Sequence, residues 1–491
     1  MENCILALYA IPSFIIICLL LIVGKRAASP DNFFLNNLVI IQAVIYLGIS
    51  VWLAGWVELP VYFMENEYFY IDRLSMYEIL ITSAVFLLAS IYARGYVSSL
   101  LKTGDLDTSV HKFFYGAFCL LEMLIVLGLS ANNIALLWIF LELSTILTAV
   151  LIVTLNAREN IIAALKYIFI ASTAMLFGFI GIIILFTISQ GTIEGGSLNW
   201  TTLMNAAASL DPTLFNFAFI FLFIGFAAKA GIAPFHTWVP TAYVRAPSVV
   251  AVVSGTVLNM GIYAILRLYT IGHKTGDGDF LQTFLLVFGL LSITIAAFSI
   301  LSRTNTKKLL AFSGVENMGF LILAIGLGSP VALFWGLFHQ MAYSLIKSLL
   351  FFCAGIFHRQ YHSNKYFTVK NAFKLQPLAS WGFILGSAAA IGVPLFPVFL
   401  AKWNVLSVLV SESIPAFIIL LVCILLVATG FAVFLIKTFS QKTDEEIQPF
   451  VTPVNMKVSI LLALGVIIVL GVYMPSWLDS TLGEIVVSLG L

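Results

Sequence analysis

Charge is what this chain has least of. Only 10% of its residues are Asp, Glu, Lys or Arg, against 61% that are hydrophobic. Soluble domains carry roughly 25% charged residues, so the composition excludes one and indicates an integral membrane protein. Cysteine is sparse as well: Cys4, Cys18, Cys119, Cys353 and Cys423 stand singly in apolar stretches, with no C-x-x-C pair. That spacing indicates neither a disulfide framework nor a cysteine-ligated cluster. A net charge of +1 leaves no basic surplus for binding nucleic acid. Long polar gaps are missing too. The longest lie at about 188–213 and 358–377, and neither accommodates a soluble domain.

What is present is one apolar span after another. A bilayer core needs about 20 apolar residues per helix. Segments that meet this begin near residues 4, 35, 74, 112, 133, 161, 214, 247, 281, 308, 330, 378, 414 and 456. The reading is an all-α integral membrane protein of 14 transmembrane helices, with spans 7 and 12 interrupted. The first span has no basic segment before it and is followed by Lys25 and Arg26, so it reads as a true span and not a cleaved signal peptide.

The distribution of basic residues supports that count. Loops after odd-numbered spans hold 17 of the 24 Lys and Arg residues; loops after even-numbered spans hold only Arg73, Arg267 and Lys274. Positive loops stay in the cytoplasm, so both termini are expected on the outer side of the cell membrane. The remaining four, Lys166, Lys229, Lys347 and Lys402, fall within or at the end of apolar segments. Intramembrane charges are costly, and each is a candidate functional group.

The stretch from Gly225 to Tyr263 organises the rest. Lys229 sits near the end of an apolar helix that then meets Gly231 and Pro234. Proline removes a backbone donor and clashes with the preceding turn, so the helix must break there. In lipid such a break survives only where protein or a water-filled cavity covers the freed carbonyls. A second break, Gly392 to Phe396 with Pro397 beyond, precedes Lys402. Each break falls in the fourth span of a five-span run, spans 4–8 and 9–13. Paired interrupted spans point to a repeat-built transporter with ion sites near the midplane. An odd number of spans per run makes the second repeat inverted. The segments are then 1–110 (three helices), 111–272 (first repeat), 273–440 (second, inverted repeat) and 441–491 (span 14).

Acids accompany these lysines. Glu122 lies in span 4 and Glu142 mid-way along span 5, where an ionised carboxylate needs a partner. Lys166 in span 6 is a candidate partner for an acid on a neighbouring helix. Glu316 lies about two turns into span 10, and Asn259 sits mid-span in span 8, able to hydrogen-bond across helices. His236 follows the first break. Glu78, near the start of span 3, reads as solvated, and the aromatics Trp52, Trp56, Tyr62, Tyr68 and Tyr70 read as an interfacial belt. On span 11, His339, Tyr343 and Lys347 repeat every four residues, a line along one helix face that suits a proton path.

These residues carry a resemblance. Lys229-Ala-Gly-Ile-Ala-Pro-Phe-His-Thr-Trp-Val-Pro followed by Ala246-Pro247 resembles the signature of the antiporter-like proton-pumping subunits of complex I, multi-subunit Na⁺/H⁺ (Mrp-type) antiporters and energy-converting membrane hydrogenases. Glu142, Ala164-Leu-Lys-Tyr167, Lys307-Lys308-Leu-Leu-Ala-Phe-Ser, His339 with Lys347, and Gly392-Val-Pro with Lys402 add to it. Together they span about residues 110–440. Ser313-Gly-Val-Glu-Asn-Met-Gly and Asn259 look like the hydrogenase and formate-hydrogenlyase branch. Departures are Tyr343 where the family has a second histidine, Arg245 where an acid is usual, and Asn305 in place of an aspartate.

The resemblance implies a proton- or Na⁺-translocating subunit of a redox-driven complex, with Glu142 paired to Lys229, Lys347 as central relay beside His339, and Lys402 as exit. Accessory positions are Glu122, His236, Asn259 and Glu316, with Lys166 and Tyr343 on the path. It implies no cofactor in this chain, with iron–sulfur, NiFe or flavin groups on partner membrane-complex subunits. The alternative is a gradient-driven cation/proton antiporter subunit with no redox partner. A redox enzyme in its own right is the third class, and no histidine pair at haem-ligand spacing supports it.

The charge asymmetry sets a test of topology. A single cysteine placed at Lys374, in the 359–374 loop, is expected to react with an impermeant maleimide only when the cytoplasmic face is exposed. Labelling from outside sealed cells would reverse the assignment.

Overall fold

The computed structural model describes residues 5–22, 33–63, 67–155, 157–276 and 278–490; Cys4, Lys25 and Arg26 lie outside the described residues. Apolar composition and intrahelical hydrogen bonding make helices the default, since a bilayer leaves backbone groups no other partner. In chain order α1 (Ile5–Ile22), α2 (Phe33–Trp56), α3 (Arg73–Thr103), α4 (His111–Leu129), α5 (Ile134–Val153) and α6 (Arg158–Gln190) open the bundle. The short α7 (Trp200–Ala206) leads to α8 (Pro212–Ala230) and α9 (Val239–Arg245), followed by α10 (Ser248–Lys274), α11 (Gly278–Leu301), α12 (Thr306–Gly326) and α13 (Pro330–Tyr361). The short α14 (Ala372–Leu375), α15 (Pro377–Ile391), α16 (Pro397–Glu412), α17 (Ile414–Phe439), α18 (Val454–Val472) and α19 (Ser476–Leu489) complete it.

Among the described residues twelve helical runs are long and apolar enough to cross a membrane, with α8 and α9 counted as one. Two further apolar helices, Ile5–Leu20 and Pro377–Ile391, are shorter. The second is short because Gly392 ends it and Pro397 starts α16, so neither half spans alone. Polar residues set many of the starts. Asp72 accepts from the Ser75 amide at α3, Asn133 from the Ala135 and Leu136 amides at α5, Asp211 from Leu214 at α8, and Asn305 from Lys308 at α12.

Three features depart from the sequence reading. Val61–Phe63 and Phe69–Ile71 form an antiparallel hairpin, β1–β2, in the expected aromatic belt, so the chain is not wholly helical. Trp56 and Tyr62 are exposed there, whereas Tyr70 packs against Trp200, ring centres 5.9 Å apart. Beyond α18 the chain continues as α19, which buries Leu478, Leu482, Ile485 and Leu489 on one face. Finally, Glu78 is buried and not solvated, because α3 is enclosed by α10 and α13 from its second turn.

Burial divides the helices into an inner and an outer set. The whole central window of α12 is buried, and nearly all of that of α10 and α13, but only 33% of that of α17. Large side chains such as Phe169, Leu176, Phe298 and Ile436 point outward from α6, α11 and α17, toward lipid or neighbouring subunits. Tyr77 and Tyr92 of α3 donate to the Leu337 and Phe352 carbonyls of α13, at 2.8 and 2.9 Å, and fix the register of the two inner helices.

One end of this core is closed by a buried ion pair. The Arg267 guanidinium of α10 donates to both Asp72 carboxylate oxygens, at 2.8 and 2.6 Å, and to Ser75 Oγ at 3.0 Å. It also lies 4.3 Å from the Trp200 ring centre and 4.9 Å from that of Tyr263. The sequence reading placed Arg267 among loop charges; the fork geometry and aromatic walls explain how it is held inside. Burial alone would raise the Asp72 carboxyl, but the charge and hydrogen bonds of Arg267, with those of Ser75, outweigh it and hold the group below the usual carboxylate range.

The clamp predicts a stability loss. Asp72→Ala leaves the guanidinium buried without its counter-charge and should cost about 3–5 kcal/mol, read as a lowered unfolding temperature in detergent. Because the carboxyl is depressed in the fold, the pair's contribution is complete above about pH 4 and fades as pH falls through the lowered value. Asp72→Ala should flatten that acid limb.

A polar axis between two broken helices

The two helix breaks have one construction. α8 ends on Gly231 at φ 72°, with the Ile232 amide donating to Ala227 and the Gly231 amide to Ala228. α15 ends on Gly392 at φ 91°, with the Val393 amide donating to Ala388 and the Gly392 amide to Ala389. Each glycine takes the left-handed turn that lets the next amides fold back on the orphan carbonyls, so the breaks carry few unsatisfied groups. After the first, a 3₁₀ turn at Phe235–Trp238 leads into α9; the Ala233 amide is held by Ser292 Oγ at 3.0 Å.

Lys229, fully buried, lies in the last turn of α8. Its Nζ donates to Thr145 Oγ1 of α5 and, at 3.5 Å, to the Tyr167 hydroxyl of α6. Glu142, one turn before Thr145, is within electrostatic reach of Lys229 but makes no ion pair with it among the described residues. It accepts from Ser172 Oγ through one oxygen, and the other, Oε2, has no partner. The expected pair is therefore present in proximity and open in geometry, with Lys229 on Thr145 and Glu142 on Ser172.

From there the axis runs inward. The Tyr167 and Trp238 ring centres are 4.3 Å apart, and Trp238 packs edge-on against Tyr243 at 6.4 Å. Lys347 of α13 donates to the Tyr243 hydroxyl at 3.0 Å, with its Nζ 4.5 Å from the ring centre. A methyl group on Gly314 would lie 3.8 Å from Lys347 Nζ and 4.0 Å from the Tyr343 hydroxyl, so both groups converge on one point of α12. Tyr343 donates to Ser313 Oγ at 3.2 Å and stacks on His339, whose Nε2 lies 2.9 Å from Asn317 Oδ1. Asn317 donates to Glu316 Oε2 at 2.6 Å. Glu316 Oε1 in turn accepts from Lys402 of α16 at 2.8 Å, a buried ion pair against the second break.

Sequence reasoning ranked Glu316 as accessory; the structure makes it the partner of Lys402. It also missed Thr145, Tyr167, Tyr243, Ser313 and Asn317. Thr145 and Tyr167 had a legible signal, since Thr145 follows Glu142 by one turn and Tyr167 closes the Ala-Leu-Lys-Tyr motif. Lys166 does not join the axis. At about 100° per residue it points away from its neighbour Tyr167 and is exposed with Leu165 and Phe169. Among the described residues Glu122 meets no cation: Gln42 Nε2 donates to it at 3.0 Å, inside a hydroxyl-rich cluster of α1–α4. His236 lies beside Phe312, ring centres 6.2 Å apart. Asn259 reaches across helices to Ser344 Oγ at 2.9 Å. Lys307 is buried too, its ammonium on the Ala246 carbonyl at 2.7 Å, where the end of α9 presents a partial negative charge.

Chemically, this is a line of ionisable and hydroxyl groups inside an apolar bundle, able to hold and exchange protons. Among the described residues no three His, Cys, Asp or Glu side chains gather as metal ligands.

Comparison with known proteins adds to the geometry. Residues 131–428 match the family described as NADH:quinone oxidoreductase/Mrp antiporter, TM. The chain is similar to the Hydrogenase-4 component F homolog of Methylacidiphilum infernorum (isolate V4), 30% identical over 351 residues that cover 71% of this chain and 74% of that protein. It is similar to NADH-quinone oxidoreductase subunit N of Ruthia magnifica subsp. Calyptogena magnifica, 24% identical over 488 residues that cover 93% and 96%. In fold it resembles a chain of the membrane-bound sulfane sulfur reductase, an archaeal respiratory membrane complex, with a TM-score of 0.84 at 21% identity, covering 100% of this chain and 98% of that one.

The Glu316–Lys402 pair generates a prediction. Glu316→Ala strands a buried ammonium and should destabilise by about 3–5 kcal/mol. The double variant with Lys402→Met should recover part of that loss, because it removes both charges. Thermal unfolding of the two single and the double variants measures the coupling, expected between about 0.5 and 3 kcal/mol.

Proposed function

The chain belongs to the NADH:quinone oxidoreductase/Mrp antiporter transmembrane family, and from that premise we propose that it moves protons across the membrane as an antiporter-like subunit of a redox-driven complex, most like those of the hydrogenase and formate-hydrogenlyase type. The carrying observation is the buried axis itself, with Lys229 at one helix break, Lys402 at the other and Lys347 between them. Neither redox centres nor substrate chemistry is needed in this chain. Partner subunits would hold the iron–sulfur, NiFe or flavin groups and supply the free energy.

In this reading the 14 spans form two inverted five-helix repeats, and both termini face outward. α5 and α8 of the first repeat then correspond to α12 and α15–α16 of the second. Glu142 with Lys229 corresponds to Glu316 with Lys402, and the matching glycine turns at 231 and 392 support that pairing. The two pairs differ in state. The second is closed as an ion pair, whereas in the first Lys229 rests on Thr145 and Glu142 on Ser172. A charge in an apolar interior is costly without a partner, so opening a carboxylate–ammonium pair favours release of the proton and closing it favours uptake. No hydrogen bond joins the Tyr167 and Tyr243 hydroxyls among the described residues, and the Trp238 indole packed against both rings donates to the Ala228 carbonyl. Transfer from Lys229 to Lys347 therefore needs water or a shift of the break. The carried ion is a proton in this account, since the axis groups are Lys, Tyr and His donors and not a cage of oxygens.

Proton uptake by proteoliposomes holding the intact complex tests the proposal. Glu142→Gln and Lys229→Ala should each assemble with the electron-transfer partners and lower uptake by about 100-fold, the scale of losing a positioned proton-transfer group. The double variant should be little worse than either, because both disable one element. Lys229→Arg should not rescue, since guanidinium keeps its proton. Parental uptake by an assembled Glu142→Gln complex would make the pair structural. A complex lacking redox subunits would favour the gradient-driven antiporter.

A further inference from the structure

Glu78 of α3 has no place in the axis described above, yet it is buried in the second turn of its helix. Gln340 of α13 is the polar side chain facing it, close enough to interact with the carboxyl, yet among the described residues neither Glu78 Oε2 nor Gln340 Oε1 and Nε2 has a partner at full hydrogen-bond distance. Such groups are expensive in an apolar core unless water satisfies them. A cavity of about 10 Å³, the size that admits a single water, lies between them, lined by Glu78, Tyr263, Leu266, Gly336 and Gln340. With these three polar atoms around it and no full hydrogen bond among them, the cavity meets the polar requirement for holding water.

Two more cavities of the same size lie in line with it. One, at about 10 Å³, is lined by Gly255, Asn259, Tyr343, Ser344 and Lys347, and Asn259 Oδ1 is without a partner. The other, also about 10 Å³, is lined by Tyr70, Asn132, Trp200, Tyr263 and Arg267 beneath the β1–β2 hairpin. Their order along both helices is consistent. On α10 the linings advance from Gly255 and Asn259, through Tyr263 and Leu266, to Arg267; on α13 they retreat from Lys347 to Gln340 and Gly336. Ser344 Oγ, which accepts from Asn259 and donates to the Gln340 carbonyl at 2.7 Å, stands between the first two. The Tyr263 hydroxyl, 3.0 Å from Ser75 Oγ, borders the second and third.

We propose that Glu78 is a proton-carrying carboxylate on a branch that leaves the axis at Lys347 and runs between α3, α10 and α13 to the hairpin end of the bundle. The inference rests on the proton-translocating reading above and adds a route to it. In the transfer, an N–H bond of the Lys347 ammonium breaks and its proton passes through water in the first cavity. The Glu78 carboxylate takes up a proton in the second, forming an O–H bond with Gln340 oriented beside it. Glu78 then returns to carboxylate as the proton leaves past Tyr263 toward the hairpin. One proton moves from Lys347 to that side, and no electrons are exchanged. The Arg267–Asp72 pair stands at the far end, and its guanidinium disfavours a lingering excess proton there.

The test uses the intact complex in proteoliposomes, with Lys229→Ala as reference. Glu78→Gln and Gln340→Leu should each assemble and lower proton uptake by about 100-fold, and Glu78→Asp should restore part of it. Infrared difference spectra on turnover should show a carboxylic-acid carbonyl band that Glu78→Gln removes and Glu78→Asp shifts, a readout that a purely structural role would not move. Parental uptake by Glu78→Gln while Lys229→Ala is inactive overturns this branch and leaves the proton-translocating function standing. Parental uptake by Lys229→Ala instead overturns the lysine axis on which both readings rest. If Glu78→Gln fails to assemble, Gln340→Leu decides: parental uptake, or a turnover spectrum in which the carboxylic band of the Glu78-containing protein is absent, overturns the branch.

Discussion

An ammonium group inside an apolar bundle has few acceptable surroundings, and the architecture around Lys229, Lys347 and Lys402 follows from supplying them. Each needs an acceptor within reach, and each finds a different one: a threonine and a tyrosine, a tyrosine hydroxyl above an aromatic face, and a carboxylate. Helices broken at Gly231 and Gly392 bring those acceptors close without exposing backbone groups, because the glycine turn recaptures the freed carbonyls. Straight helices would present only side chains to the centre. The breaks let the chain bend around the charged residue and close polar neighbours over it.

The two ends of the axis are not alike, and the difference lies in the length of the links. Glu316 reaches Lys402 directly, while Glu142 stops at Ser172 and leaves Thr145 to face Lys229. A direct ion pair between buried charges is strong but hard to open. With Lys229 on a hydroxyl and Glu142 on another, the first pair is held less tightly, and it lies near the 3₁₀ turn that follows α8. Function of this kind relies on elements with two arrangements of similar energy. The core around them, α10, α12 and α13, is close-packed and supplies the fixed frame.

The sequence was informative wherever a residue's chemistry conflicts with its surroundings. A lysine or glutamate in an apolar run announces itself, so Glu142, Lys229, Lys347 and Lys402 were visible, as were both breaks. It was uninformative about groups whose chemistry is ordinary in isolation. Tyr243, Thr145 and Asn317 look like unremarked helix residues until a charge is found beside them. It was misleading near helix ends. Glu78, Arg267, Lys307 and Arg359 read as interfacial by position, yet each is buried, Arg359 through its 2.5 Å contact with Asp105. Glu78 is enclosed by α10 and α13, Arg267 lies under the hairpin, Lys307 sits against the end of α9, and Arg359 packs on α3 and the loop after it.

Composition and spacing alone determined that the chain is a multi-spanning membrane protein, where its helices break and which charges lie at membrane depth. These are local properties: hydrophobic length, the stereochemistry of Gly and Pro, and the cost of an ion in lipid each act over a few residues. Only the tertiary structure decided which acid meets which lysine, that Lys166 faces outward while Tyr167 faces in, and that Glu78 shares a cavity with Gln340. Those outcomes depend on the rotation of each helix about its axis and on its depth relative to its neighbours. At about 100° per residue and 1.5 Å of rise, a shift of one position exchanges a buried partner for a lipid-facing side chain, and no pattern within a single helix specifies that shift.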